Sequence, residues 1–119
     1  MVLSTPFATA KDNTLLAITD NNYLSTLLKS DKPVLVKFWA AWCRPCRKME
    51  PEYKNASKAF VGKVTFAEVN VDTQTQVSAV YAIESLPTLI LFKKNKIIKR
   101  SVGFLDQQEI EAFVKQALQ

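Results

Sequence analysis

The chain has 119 residues, enough for one domain with an ordinary hydrophobic core, and its 48% hydrophobic and 23% charged make-up is that of a soluble globular protein. Two cysteines exclude a disulfide-built scaffold, and the lack of any histidine removes the usual general base and the commonest zinc ligand. A net charge of +5, from 16 Lys+Arg against 11 Asp+Glu, is spread too thinly for more than non-specific contact with nucleic acid, and no apolar run reaches the ~18 residues of a membrane span.

Ala8-Thr9-Ala10 has the A-x-A form of a signal-peptidase site, but the residues before it lack a basic start and a full apolar stretch. Residues 1–11 are therefore expected to be a flexible tail, or the remnant of a signal peptide, ahead of a single domain over 12–119. Thr14–Thr19 reads as a strand. Asp20 or Asn22 can cap a helix whose apolar face carries Tyr23, Leu24, Leu27 and Leu28. Asp31-Lys32-Pro33 breaks it, and Val34–Ala40 is apolar almost throughout, as in a strand covered on both faces. A helix is expected from Cys43 to Phe60, bent at Pro51 and ended by Gly62. Val64–Val71 is the next buried strand, and Thr73–Tyr81 a helix started by Asp72 or Thr73. Thr88–Phe92 and Ile97–Val102 form a hairpin turning at Asn95, with Lys93, Lys94, Lys96, Lys99 and Arg100 around it. Lysines on an edge hairpin commonly guard it against pairing with another strand. Leu105–Leu118 is an amphipathic helix with Asp106 near its start. The order β-α-β-α-β-α-β-β-α predicts an α/β fold, a mixed sheet with helices on both faces.

Trp42-Cys43-Arg44-Pro45-Cys46 lies where a buried strand hands over to a helix. The first cysteine then meets the free N–H groups and positive end of the helix dipole, which favour a thiolate, and a second cysteine three residues on can close a small disulfide ring. Pro45 is tolerated there because first-turn N–H groups have no partner within the helix. The spacing suits reversible dithiol–disulfide chemistry. A zinc site would need two chains to supply four ligands, and a purely structural disulfide would close too small a loop to constrain the unfolded chain much.

Phe38-Trp39-Ala40-Ala41-Trp42-Cys43-Arg44-Pro45-Cys46 resembles the active-site segment of the thioredoxin family. Pro51 is similar to its helix-kinking proline, Asn70-Val71-Asp72 to the end of its third strand, Leu86-Pro87-Thr88 to its cis-proline loop, and Val102-Gly103 to the glycine opposite. The resemblance covers residues 12–118 in one register. It implies the thioredoxin fold, with about five strands and four helices, and a reductase of protein disulfides. Cys43 is then the exposed nucleophile, which forms a mixed disulfide with substrate, and the more buried Cys46 resolves it. Trp42, Arg44 and Pro45 belong to the docking surface, whereas Trp39 is expected in the core. The resemblance makes Pro87 cis, leaving the Leu86 backbone free to pair with an extended substrate, and Gly103 would let that substrate come close.

Three positions depart from the family. Lys37 stands where an Asp is usual, and Glu68 where a Lys is common, so a charge-reversed pair is expected on neighbouring central strands, because an isolated buried ammonium is very costly. The alternative is that Lys37 snorkels outward and Glu68 is separately solvated. Both join Cys43 and Cys46 as candidate catalytic residues: Glu68 as a base through water, or Lys37 as a stabiliser of the Cys46 thiolate. Arg44 replaces a usual Gly. As an exposed cation it shifts the couple towards oxidant by roughly 5–20 mV, too little to make a dedicated oxidase. Arg47 and Lys48 add a weaker pull on acidic partners.

The resemblance further implies no bound cofactor beyond the redox-active disulfide, with NADPH as the indirect electron source through a thioredoxin-reductase-like enzyme. The expected partners are disulfide-containing client proteins, with no metal, nucleic acid or membrane, and the expected state is a cytoplasmic monomer. The rival readings are a thioredoxin-like binding subunit whose redox activity is incidental, and a periplasmic thiol reductant if residues 1–10 are a signal remnant.

Overall fold

A computed structural model describes residues 15–119. The expected tail, the Ala8-Thr9-Ala10 segment and Thr14 of the first strand lie outside the described residues. Within them five strands form one sheet: β1 (Leu16–Ala17), β2 (Val34–Trp39), β3 (Thr65–Asn70), β4 (Thr88–Lys93) and β5 (Lys96–Val102). Four helices intervene: α1 (Tyr23–Lys29), α2 (Arg44–Lys58), α3 (Thr75–Val80) and α4 (Gln107–Ala117). The strand order is β1-β3-β2-β4-β5, with β1, β3 and β2 parallel and β4 and β5 antiparallel to their neighbours. This is the mixed sheet of the thioredoxin fold.

The central strands β2 and β4 are buried for five residues each, Val34–Phe38 and Thr88–Phe92, because helices cover both of their faces. On one face Leu35, Phe66, Leu89 and Leu91 pack against Met49, Tyr53 and Ala56 of α2 and Ile110, Phe113 and Val114 of α4. On the other, Val34, Val36, Phe38, Ala67, Val69, Ile90 and Phe92 meet Tyr23 and Leu27 of α1 and Val77 of α3. Tyr53 joins helix to sheet. It is fully buried, and its hydroxyl lies 2.9 Å from the Leu35 carbonyl and 2.7 Å from that of Ala67, sharing its one proton across adjacent strands. Tyr53→Phe should lower stability by about 1 kcal/mol, the net value of one such bond, as read by urea unfolding; an unchanged midpoint would show that the hydroxyl contributes nothing.

Several boundaries differ from expectation. β1 is only two residues long, extended by the Ile18 N–H bond to the Glu68 carbonyl. α2 stops at Lys58, two residues early, in a run of turns through Lys63. α3 begins at Thr75, and neither Asp72 nor Thr73 caps it. Its cap comes from a distant part of the chain: Asp20 Oδ1 accepts the Val77 N–H at 2.8 Å, while the Asp20 N–H donates to Gln74 Oε1 at 2.8 Å. Asp20 therefore does not cap α1, and Asn22 takes the N-cap position without a side-chain cap bond. By contrast, Asp106 caps α4 in a reciprocal box with Glu109, both bonds at 2.9 Å. The hairpin turns on Lys94 and Asn95, with φ of 51° and 65°, the left-handed pair that a two-residue turn between twisted strands requires.

Candidate active site

Three segments meet at one end of the sheet because of strand register. Phe38, near the end of β2, lies opposite Thr88 at the start of β4, and Thr88 lies opposite Val102 at the end of β5. The β2–α2 handover, the Leu86-Pro87 segment and Gly103 are thereby brought together. The Leu86–Pro87 peptide is cis, as the resemblance implied, and the Gly103 N–H donates to the Pro87 carbonyl at 2.8 Å. Gly103 has φ of +106°, where a side chain would strain the backbone, and the space beside its Cα is open.

Cys43 is the N-cap of α2, with Arg44 and Pro45 the first two helical residues. Cys43 and Cys46 are joined as a disulfide across Cα atoms 5.3 Å apart, and Cys43 Sγ accepts the Cys46 N–H at 3.2 Å. That bond is the one a thiolate at this position would use, added to the positive end of the α2 dipole. The exposed Cys43 that was expected needs correction. In the disulfide form it is only 4% exposed, against 2% for Cys46, because both belong to a small apolar cluster with Ala40 on which Trp39, Val71 and Leu86 pack.

Cys43 borders a cavity of about 400 Å³ that is also lined by Trp42, Arg44, Pro45, Val71, Ile83, Glu84 and Leu86. Trp42 is 67% exposed and is held by its Nε1–H, which donates to Asp72 Oδ1 at 3.3 Å. Arg44 and Pro45 are exposed beside it, Pro87 is buried and Leu86 half-buried. Of the residues expected to meet substrate, Trp42, Arg44, Pro45 and Leu86 line this cavity, whereas Pro87 and Gly103 form the hydrogen-bonded floor next to it. Val71, Ile83 and Glu84 also line it. Val71 falls within the Asn70-Val71-Asp72 match, whereas Ile83 and Glu84 gave no signal in the sequence, one being an ordinary apolar residue of a connecting segment and the other an ordinary surface acid.

Behind the disulfide lies a second cavity of about 70 Å³, lined by Lys37, Trp39, Cys46, Arg47, Glu50 and Glu68. Lys37 and Glu68 are register partners on β2 and β3, and Lys37 Nζ is 3.6 Å from Glu68 Oε1. Lys37 is 2% exposed and Glu68 30%, so the pair is buried at its cationic end and wet at its anionic end. Lys37 does not snorkel. Its Nζ stands 4.9 Å from the Tyr53 ring centroid and 6.0 Å from that of Trp39, close enough for attraction to both aromatic faces. Burial lowers the Lys37 pKa from its ordinary value, and the charges of Glu68 and Glu50 oppose that shift. Trp39, expected in the core, is half-buried, and its buried Nε1–H has no acceptor among the described residues.

The sequence matches the Thioredoxin family model over residues 14–116. It is 41% identical over 104 residues to the thioredoxin of Alicyclobacillus acidocaldarius subsp. acidocaldarius, covering 87% of this chain and 98% of that protein. Identity to the thioredoxin of Mycoplasma pneumoniae is 43% over 93 residues, 78% of this chain and 90% of that one. For the thioredoxin of Haemophilus influenzae the figures are 34% over 102 residues, 86% and 95%.

Proposed function

The chain belongs to the thioredoxin family and is a thiol–disulfide oxidoreductase, and from that premise we propose that it works as a reductant of client-protein disulfides with Cys43 as the attacking sulfur. The observation that carries the reading is a Cys43–Cys46 disulfide closed at the first turn of α2 and bordering a largely apolar cavity beside the Leu86–Pro87 backbone.

In the reduced protein the Cys43 thiolate attacks one sulfur of a client disulfide. A Cys43–client bond forms, the client S–S bond breaks, and the other client sulfur leaves as a thiolate that takes a proton from solvent. Cys46, once deprotonated, attacks Cys43 Sγ. The Cys43–Cys46 bond closes, the Cys43–client bond breaks, and the second client sulfur leaves. Two electrons have passed from the dithiol to the client. Trp42, Arg44, Pro45 and Leu86 hold the client chain, with the Leu86 backbone as its strand partner and Gly103 leaving room alongside. A thioredoxin-reductase-like enzyme drawing on NADPH returns the two electrons to the pair. In this reading residues 12–119 act as one domain, and the protein is a cytoplasmic monomer.

Turnover of insulin disulfides with dithiothreitol as donor tests the reading. Precipitation of insulin chains well above the dithiothreitol background is expected, and its loss in Cys43→Ser. A wild-type rate no faster than background would make the protein a binding subunit with incidental redox chemistry.

A further inference from the structure

We infer that Lys37 sets the acidity of Cys46 from behind, its buried ammonium across the rear cavity favouring the Cys46 thiolate, with Glu68 restraining that effect. The inference rests on the reading of Cys46 as the resolving thiol. Cys46 and Lys37 line the same cavity of about 70 Å³, large enough for water to link them. Charged groups reach this space from three elements. β2 gives Lys37, β3 gives Glu68, and α2 gives Arg47 and Glu50, with Lys54 and the neutral Tyr53 hydroxyl further along the helix. Formally they nearly cancel. Their weights differ because of exposure. Arg47 and Glu50 are exposed and Lys54 is half in solvent, paired at 3.4 Å with Glu50, so water screens all three. Lys37 is the one charge among them removed from solvent, and its field is the least screened. Glu68 and Glu50, with the rings of Tyr53 and Trp39, favour the ammonium form against the burial that lowers its pKa.

The step this serves is the resolving one. The Cys46 S–H proton passes through cavity water to solvent. The resulting thiolate bonds to Cys43 Sγ as the Cys43–client bond breaks, and the client sulfur leaves with that electron pair. A positive group behind Cys46 lowers the pKa at which the first event occurs, so no buried carboxylate is needed to take the proton.

The test measures the pH dependence of Cys46 alkylation by iodoacetamide in the full chain carrying Cys43→Ser, where Cys46 is the only thiol. Adding Lys37→Met should raise the alkylation midpoint by about one unit, a tenfold slower reaction at neutral pH. Adding Glu68→Gln should move the midpoint the other way, because it removes the restraining anion while Glu50 still faces the ammonium. A packing defect would not produce opposite signs. Shifts in the same direction, or no shift in either variant, would overturn the inference. Should Lys37→Met fail to fold, Glu68→Gln alone decides, since an unmoved or raised midpoint there is equally fatal. Absent insulin turnover in the wild type would remove the reductant reading and leave the alkylation midpoints to be judged separately.

Discussion

Cys46→Ser should turn the protein from a turnover reductant into a trap. Cys43 can still open a client disulfide, but no second thiol stands next to the adduct to release it, and solution thiols replace a neighbour of very high effective concentration. Multi-turnover reduction should fall by at least ~10³-fold while covalent client adducts accumulate. Intact-mass analysis after mixing with an oxidised client measures this directly. Cys43→Ser should give neither turnover nor adduct, because Cys46 is 2% exposed and does not border the docking cavity. Adducts forming equally well on both variants would mean that the two sulfurs share one role, and the assignment of Cys43 as the attacking atom would fall.

The second large effect concerns stability. Lys37→Met should stabilise the protein at neutral pH by about 1–2 kcal/mol, since a buried ammonium gives way to an apolar chain of similar length and Glu68 can hydrate at its exposed end. Glu68→Ala should act oppositely and destabilise by about 2 kcal/mol, less than the loss of a fully buried partner because Glu68 is partly in water. The pH dependence follows from the direction of the Lys37 shift. Its folded pKa lies below the ordinary 10.5, so unfolding takes up a proton between the two values, and stability rises with pH across that interval. Tyr53 works against this at higher pH. Burial holds its phenol well above the ordinary 10.0, so the unfolded chain ionises first and stability falls as pH passes that value. Wild-type urea midpoints should therefore climb on approach to pH ~10 and then decline, whereas Lys37→Met should show only the decline. A climb that survives in Lys37→Met would place its source elsewhere.

Much of this architecture is legible in the residues. β2 and β4 declare themselves because strands covered on both faces need consecutive apolar side chains, and Val34–Phe38 and Thr88–Phe92 supply them. The start of α4 is legible because Asp106 and Glu109 carry the whole capping device within four residues. Local signals fail where the determining partner is remote. Asp20 looks like a cap for the helix that follows it, yet its carboxylate caps α3, 57 residues further on. Burial of Cys43 depends on Val71 and Leu86 arriving from other parts of the chain, and no spacing around the cysteines records that. The Lys37–Glu68 pairing was inferable because both residues fall on expected central parallel strands, but the exposure of one end and the aromatic walls at the other follow only from the packed helix α2.

The two borders of the sheet are finished differently. β1 ends one side after two residues, and β5, on the other, carries Lys96, Lys99 and Arg100. A reductant that takes its clients as extended segments, as proposed above, works among ready templates for aggregation. The first border is too short to nucleate a growing stack, and the second repels any copy of itself that approaches side-on. In the proposed reading foreign backbone is admitted at Leu86, beside the reacting sulfur, while self-polymerisation is discouraged at both rims.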